Sequence, residues 1–349
     1  MAARFTILTP DAQFADDAVI ERQVGGADVD FEIRRERDRK KIPDEAYARC
    51  DALLTWHELK VDQSVIDKLT RCRIIVRAGV GFDHIDLAAA GAAGIPVANT
   101  PDYGTSEVAD HAMGLLLGLL RSIPAYDQAL RADPVGGYTL EPGHLTRRIR
   151  GTTLGIVGLG RIGTATAMRA KAFGIEILAY DPYIPRGQEI ALGITRVETL
   201  SDLLAASDAV SIHAPLTPET HKLFGEAALS MMRPNAVLIN TARGAIVDLD
   251  ALHDALQAGR IAGAALDVLP EEPPPQPLPA LIAAYHEQPD WLRGRLILTP
   301  HAAWSSPESA ADARRLSAET AVAYLRNGAL RNCVNEAVLD RKKLRTGRG

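Results

Sequence analysis

The sequence predicts an α/β protein built on two parallel sheets, and three observations lead there. Short apolar runs alternate with helix-like stretches in two successive series, one over residues 5–100 and one from Thr152 onward. A glycine-rich turn, Gly155-Ile156-Val157-Gly158-Leu159-Gly160-Arg161-Ile162-Gly163, stands between a strand-like run and a helix-like run. The 349 residues, 47% of them apolar, are too many for one small domain and enough for two ordinary cores.

In chain order, the first series reads as strands at Phe5 to Leu8, Ala52 to Trp56, Ile74 to Arg77 and Pro96 to Ala98. Between them, Glu32 to Asp44 is dense in both charge signs and reads as a solvated helix or loop. A long helix is predicted from near Ser106 to about Arg121, with Val108, His111, Ala112, Leu115, Leu116 and Leu119 along one side, linking into the second domain. The second series runs through Thr153 to Val157, Ile175 to Tyr180, Ala209 to His213, Ala236 to Asn240, Gly263 to Val268 and Leu296 to Thr299, the rhythm of a doubly wound nucleotide-binding fold. Glu271 to Pro277, with four prolines, opens a longer irregular segment that either covers a cleft or serves as a stiff connection. Pro307 to Asn327 reads as a second long helix returning the chain to the first domain, and the basic ending Arg341 to Gly349 as a frayed tail.

A net charge of −5 and the lack of a basic stripe interleaved with aromatics argue against nucleic acid and point to small solutes as partners. Cys50, Cys72 and Cys333 are few, odd in number and distant along the chain, with neither zinc nor disulfide spacing; they read as core or surface thiols, and no metal is expected. The N-terminal strand-like run meets Pro10 and Asp11 before a signal-peptide core could form, and the most apolar run, Ala112 to Leu120, is about half the length needed to cross a bilayer. A soluble, cytoplasmic protein is expected.

The glycine turn carries the most information. Ile162, Ala165, Met168 and Ala172 follow it at helical spacing, so the turn opens a helix whose N-terminal amides and dipole suit a phosphate. The next strand ends at Asp181, whose carboxylate can accept hydrogen bonds from the hydroxyls of an adenosine ribose. NAD is the expected cofactor. A carboxylate would repel a 2′-phosphate, and Pro182 and Tyr183 follow rather than a basic residue; Arg186 leaves NADP open.

Three further segments put polar side chains at predicted strand ends, where open α/β sheets place ligands. They are Asn240 to Gly244, Asp267 to Pro273, and Thr299 to Trp304. An arginine, a carboxylate and a histidine brought together there form an acid–base kit for a carbonyl group. Singly, each is ordinary: a strand-end Arg or Glu is more often a surface ion pair, and a lone His is usually structural.

Taken together with Val76 to Asp86, Asn99-Thr100-Pro101 and the dinucleotide turn, these segments resemble the D-isomer-specific 2-hydroxyacid dehydrogenases over nearly the whole chain. Four details look closest to the C-terminal-binding-protein branch: Arg169 to Gly174, Tyr180 to Tyr183, His301 to Trp304 and Asn332 to Asn335. The resemblance implies a Rossmann cofactor domain, about residues 104–303, inserted into a flavodoxin-like substrate domain of residues 1–103 plus 304–349. The two long helices would be hinges, and closure about them would exclude water from the hydride path. It also implies a homodimer through the cofactor domain.

Carried over by resemblance, His301 would give and take the proton at the substrate oxygen, its ordinary pKa lying near neutrality. Glu272 would hold the imidazole and favour its charged form. Arg243 would grip the substrate carboxylate with two donors, while amides around Gly79, Val80 and Gly81 would take its other side and Arg77 would add charge. Gly158, Leu159, Gly160, Arg161, Ile162, Gly163, Asp181, Ala214, Pro215, Thr220, Thr241 and Ala242 would line the dinucleotide, with Val80 also against it and Asp267 at the nicotinamide carboxamide.

The sequence departs from the wider family at Trp304, which in the resembling branch lines the substrate pocket; it implies an apolar, thioether or aromatic substrate side chain, against the plain alternative of a packed hinge tryptophan. The stretch Pro274 to Gly294 is longer than in that branch, and its Trp291 could shape a pocket mouth or an oligomer contact. The lack of a long C-terminal serine-binding regulatory domain weakens a role in serine synthesis. The leading expectation is an NAD-dependent enzyme interconverting a D-2-hydroxyacid and its 2-keto acid. The alternatives are an NAD(H)-sensing, corepressor-like scaffold, disfavoured by the want of a long disordered tail, and a hydride enzyme for a substrate such as phosphite.

Overall fold

The structure is a computed structural model describing residues 5–345. It divides into two compact units, Met1–Gly104 with Ser306–Gly349, and Thr105–Ser305.

The first unit is built on a five-stranded parallel sheet. Its strands are β1 (Phe5–Thr9), β2 (Val29–Ile33), β3 (Ala52–Thr55), β4 (Ile74–Arg77) and β5 (Val97–Ala98), in the order β2-β1-β3-β4-β5. Every residue of β3 and β4 is buried, because helices cover a parallel sheet on both faces. Leu8, Leu53, Ile75 and Val97 share one apolar cluster with Ala46, Tyr47, Val65, Ile66, Ala89 and Ala90 from three short helices, while the long helix Pro307–Asn327 packs against β3 and β4. That helix begins in a capping box, with Ser306 and Ser309 bonding each other's backbone amides at 2.9 Å.

Here the first unit differs from its sequence reading in three places. Strand β2 covers the start of the charged stretch read as helix or loop; it is an edge strand whose Asp30 faces solvent, and that polarity hides it. Residues 341–345 of the basic ending are docked rather than frayed. Arg73 Nε donates to the Arg345 carbonyl at 2.8 Å, and Lys343 Nζ to that of Ala92 at 2.9 Å; residues 346–349 lie outside the described part. The parallel register of Ala52 with Ile74 brings Cys50 and Cys72 into one buried site, distant though they are in sequence. The Cys72 thiol and burial both push Cys50 well above the usual thiol range.

The second unit carries a seven-stranded parallel sheet of β6 (Thr153–Val157), β7 (Glu176–Tyr180), β8 (Thr195–Arg196), β9 (Ala209–Ile212), β10 (Val237–Asn240), β11 (Gly263–Leu266) and β12 (Leu296–Leu298). The order β12-β11-β10-β9-β6-β7-β8 reverses direction at β6, between β9 and β7. This is the doubly wound arrangement, and its ligand crevice lies at the carboxyl ends of the strands flanking that reversal. The predicted linking helix runs Thr105–Leu120, and Ser122, with φ 51°, separates it from a second helix, Ile123–Ala132. The proline-rich stretch after Glu272 is only partly irregular, since Ala280–Glu287 is helical. Among the described residues no helix is long and apolar enough to cross a membrane.

One charged cluster within the first unit fixes the helix Val19–Gly25 to the helix Pro307–Asn327. Arg314, 8% exposed, donates to Glu21 Oε1 and Oε2 at 2.8 and 2.7 Å and to both Asp16 oxygens at 2.8 and 2.6 Å, with its guanidinium 3.7 Å from the Phe14 ring centre. Replacing Arg314 with Met strands the buried Glu21 charge, and we expect a loss of about 3–5 kcal/mol in urea unfolding. The double replacement Arg314→Met with Glu21→Leu should recover at least half of it; equal stability of wild type and Arg314→Met would refute the role. The hydrogen bonds from Arg314 hold Asp16 down to about 2 from the ordinary 3.8, so the Asp16 share of the stability is complete above pH 3.8 and disappears as pH falls through 2.

Candidate active site

The dinucleotide turn leaves the end of β6 at the sheet's reversal point. Gly158 adopts φ 92°, and a Cβ there would lie 2.7 Å from the Ala214 amide nitrogen and 2.8 Å from the His213 carbonyl carbon. Only glycine lets the turn sit this close to the segment leaving β9. A Cβ on Gly163 would meet the Gly158 carbonyl oxygen at 2.0 Å, so the third glycine holds the helix Arg161–Ala172 against its own turn. At Gly160 a Cβ would meet nothing within 4 Å, leaving the helix N-terminus approachable.

Asp181 faces this turn: Oδ2 accepts from the Leu159 amide at 2.8 Å and Oδ1 from the Tyr183 amide at 2.9 Å. The Thr241 hydroxyl oxygen is buried and has no partner among the described residues. An open helix N-terminus, a carboxylate at the second strand end and an orphan hydroxyl fit a dinucleotide.

Several expected contacts take another form. The Leu159 side chain is fully buried, so its contribution to a ligand is through the backbone. Thr220 fastens its own loop, its hydroxyl donating to the Pro215 carbonyl at 2.6 Å and accepting from the Thr217 amide at 2.8 Å. The helix after the turn is where periodicity places it, but its buried face is Gly163, Thr166, Ala167 and Ala170 rather than Ile162, Ala165, Met168 and Ala172. Small residues let a helix approach a sheet closely, and Met168 is left 38% exposed.

The three strand-end segments assemble around β10, β11 and β12, which are hydrogen-bonded neighbours. His301 Nδ1 lies 2.7 Å from Glu272 Oε2. A carboxylate only accepts, so Nδ1 carries the proton, and the tautomer and ring orientation follow. Glu272 Oε1 in turn accepts from the Leu269 amide at 2.8 Å, which fixes the carboxylate. His301 has φ 53°, a left-handed conformation costing about 1–2 kcal/mol for a residue with a Cβ. Its amide donates to the Asp267 carbonyl at 2.7 Å.

Asp267, expected at the nicotinamide, has a task that sequence reasoning missed. Its carboxylate is 1% exposed; Oδ1 accepts from Thr299 Oγ1 at 2.6 Å and from the Ala302 amide at 2.8 Å, and Oδ2 from the Ala303 amide at 3.0 Å. It therefore clamps the loop that carries His301. No sequence pattern announces this, because the bonds cross from one strand end to its neighbour.

Arg243 is presented by a turn that Asn240 ties together. The fully buried Asn240 side chain donates to the Arg243 carbonyl at 2.8 Å and accepts from the Ala242 amide at 3.0 Å. Next to it, a Cβ on Gly244 would lie 1.9 Å from the Leu269 carbonyl carbon and 2.3 Å from the Pro270 nitrogen. This approach brings the arginine turn against the segment that leads to Glu272. Asn240 and Gly244 thus support the site although neither carries chemistry.

Arg77, Gly79, Val80 and Gly81 lie in the first unit, at the turn leaving β4. Arg77 is 6% exposed and its Nη1 donates to the Ala78 carbonyl; Gly79 donates to the Arg77 carbonyl at 2.8 Å and accepts from the Thr100 amide at 3.0 Å. Asn99 Nδ2 bonds the Val80 carbonyl at 2.8 Å. Trp304 follows the His301 loop and is half-buried. Among the described residues no His, Cys, Asp and Glu cluster suits a metal ion.

Fold and site together define a dinucleotide-binding protein with a hydrogen-bonded His301–Glu272 pair at its strand ends. A family model described as "D-isomer specific 2-hydroxyacid dehydrogenase, NAD binding domain" matches residues 113–303. The chain belongs to that family, and its second unit contains the NAD-binding domain. It is 36% identical over 338 residues to a D-3-phosphoglycerate dehydrogenase of Methanocaldococcus jannaschii, covering 97% of this chain and 61% of that longer protein. It is 37% identical over 330 residues to a glyoxylate reductase of Korarchaeum cryptofilum, covering 93% and 96% of the two chains. Among solved structures, an NADPH-dependent glyoxylate/hydroxypyruvate reductase from Sinorhizobium meliloti, in complex with NADP and malonate, superposes with a TM-score of 0.79 at 31% identity, covering 97% and 98%.

Two expectations follow from the local physics. Burial pushes His213, beside the Gly158 contact, down to about 4 from the ordinary 6.5. The folded state therefore holds this ring neutral, and its stability is intact above pH 6.5 and declines as pH falls from 6.5 towards 4, where the unfolded chain takes up the proton first. His213→Gln should flatten that part of a plot of melting temperature against pH; an unchanged slope would remove His213 as the cause. Gly244→Ala should force Leu269 and Pro270 away and lower turnover by about a hundredfold, the scale of a displacement near 1 Å at a reacting centre, with far-UV circular dichroism unchanged. Wild-type turnover in that variant would contradict the close approach.

Proposed function

We propose that the protein is an NAD-dependent D-2-hydroxyacid dehydrogenase that reduces a 2-keto acid, and oxidises the hydroxyacid in reverse, with His301 as general acid and base. The observation that carries this reading is the 2.7 Å contact between His301 Nδ1 and Glu272 Oε2, beside the turn that presents Arg243. The bound nicotinamide supplies or accepts the hydride. His301 gives its Nε2 proton to the carbonyl oxygen, and takes one back in the other direction, while Glu272 keeps the ring oriented. Arg243 anchors the substrate carboxylate with its planar pair of donors.

Preference for NAD over NADP is supported by Asp181, whose carboxylate at the end of β7 would repel a 2′-phosphate; Arg186 is engaged with Glu198 at 2.9 Å. Trp304 supports a substrate with an apolar, thioether or aromatic side chain. The finer kinship, with the C-terminal-binding-protein branch and its homodimers, rests on motif resemblance. In that branch an NAD(H) sensor is the competing role.

NADH oxidation followed at 340 nm against glyoxylate, hydroxypyruvate, phenylpyruvate and 4-methylthio-2-oxobutyrate tests these assignments. His301→Ala should lower kcat by about a thousandfold, within the range of general acid–base catalysis, and Asp181→Ala should raise kcat/KM with NADPH relative to NADH. Tight NADH binding with no turnover of any 2-keto acid would overturn the enzyme in favour of the sensor.

A further inference from the structure

The acid–base pair leaves one nearby histidine unused. His111 lies on the helix Thr105–Leu120, within the second unit, and its Nε2 is 3.0 Å from Thr299 Oγ1 and 3.6 Å from Asp267 Oδ1. Counting protons fixes the direction of this chain. Asp267 only accepts, so Thr299 spends its single hydroxyl proton on the 2.6 Å bond to Oδ1. The Thr299 oxygen can then only accept from His111, whose Nε2 must carry a proton. The result is a one-way series of donors, from His111 to Thr299 to Asp267, ending on a carboxylate that also takes the Ala302 and Ala303 amides. Backbone from both partners enters the same loop, since the His301 amide lies 2.7 Å from the Asp267 carbonyl and 3.0 Å from that of Thr299.

We infer that His111 is a positioning residue for catalysis: through Thr299 and Asp267 it holds the 299–303 loop in the one conformation that aims His301 at the substrate. The inference rests on the assignment of His301 as the acid–base group. The polar partners of His111 are Thr299 and Asp267, not the acid–base pair itself. Its effect reaches the reaction by geometry, because His301 sits in a left-handed conformation that the surrounding bonds must hold. Losing the first donor leaves the Thr299 oxygen unmatched and frees the hydroxyl to rotate off Asp267.

Steady-state kinetics with NADH and the best 2-keto acid test this on His111→Phe, His111→Gln, Thr299→Val and the double variant His111→Phe with Thr299→Val. His111→Phe keeps ring volume and removes the donor; we expect kcat to fall about tenfold or more with KM within about twofold. His111→Gln restores an N–H donor and should regain most of the loss, which packing alone would not produce. The double variant should be no slower than the slower single one, since both cut the same series. Full kcat in His111→Phe, equal losses in the Phe and Gln variants, or multiplied losses in the double variant would each overturn the inference. Should His111→Phe not fold, the pair Thr299→Val and Thr299→Ser decides, because only Ser keeps the hydroxyl. Turnover unaffected by His301→Ala would instead mean that the acid–base assignment has failed.

Discussion

Most of what is particular about this site depends on one buried carboxylate. Asp267 leaves the end of β11 and gathers a hydroxyl and two amides from the segment that follows β12. Hydrogen bonds to a charged group contribute roughly 1.5–3 kcal/mol each, so three of them outweigh the 1–2 kcal/mol penalty of the left-handed His301 backbone. The comparison explains how a residue in an unfavourable conformation can be held rigidly. It also shows why the loop is ordered by its neighbour strand rather than by its own sequence.

The sheet supplies the frame within which that carboxylate works. Parallel pairing of β10, β11 and β12 brings three strand ends side by side, which puts Asn240, Asp267 and Thr299 on one edge of the second unit. Reversal of strand order at β6 opens the crevice that the glycine turn lines. Gly158 and Gly244 serve the same end by different means: one lets the turn meet the segment after β9, the other lets the arginine turn meet the approach to Glu272. Chemistry-bearing side chains therefore sit on short turns whose shape is set by close backbone packing.

The comparisons place the chain among enzymes of small hydroxy and keto acids while leaving room for different cofactors and substrates. The fold is shared at a TM-score of 0.79 with an NADPH-dependent reductase, so cofactor choice has to be sought in side chains. Under the proposed function that choice would rest with Asp181, whose carboxylate accepts from two amides, and substrate choice with side chains such as Trp304. Family membership is shared with proteins of differing substrate, and under the proposed function these few residues would define the individual enzyme.

By itself, the sequence determined the α/β class, ten of the twelve strands among the described residues, the long helices and the strand-end segments that carry Arg243, Glu272 and His301. Buried parallel strands are continuous apolar runs, and a glycine turn between strand and helix is a local signal. Tertiary structure alone decided the edge strands β2 and β8, one partly solvated and the other only two residues long, neither with an apolar run to mark it. It also decided which face of the helix Arg161–Ala172 is buried, that Cys50 and Cys72 are neighbours, and that residues 341–345 are docked. The Asp267, Thr299 and His111 series belongs to this second group as well. Its members are 32 to 188 residues apart, and a hydrogen bond between such partners has no periodicity from which to be read.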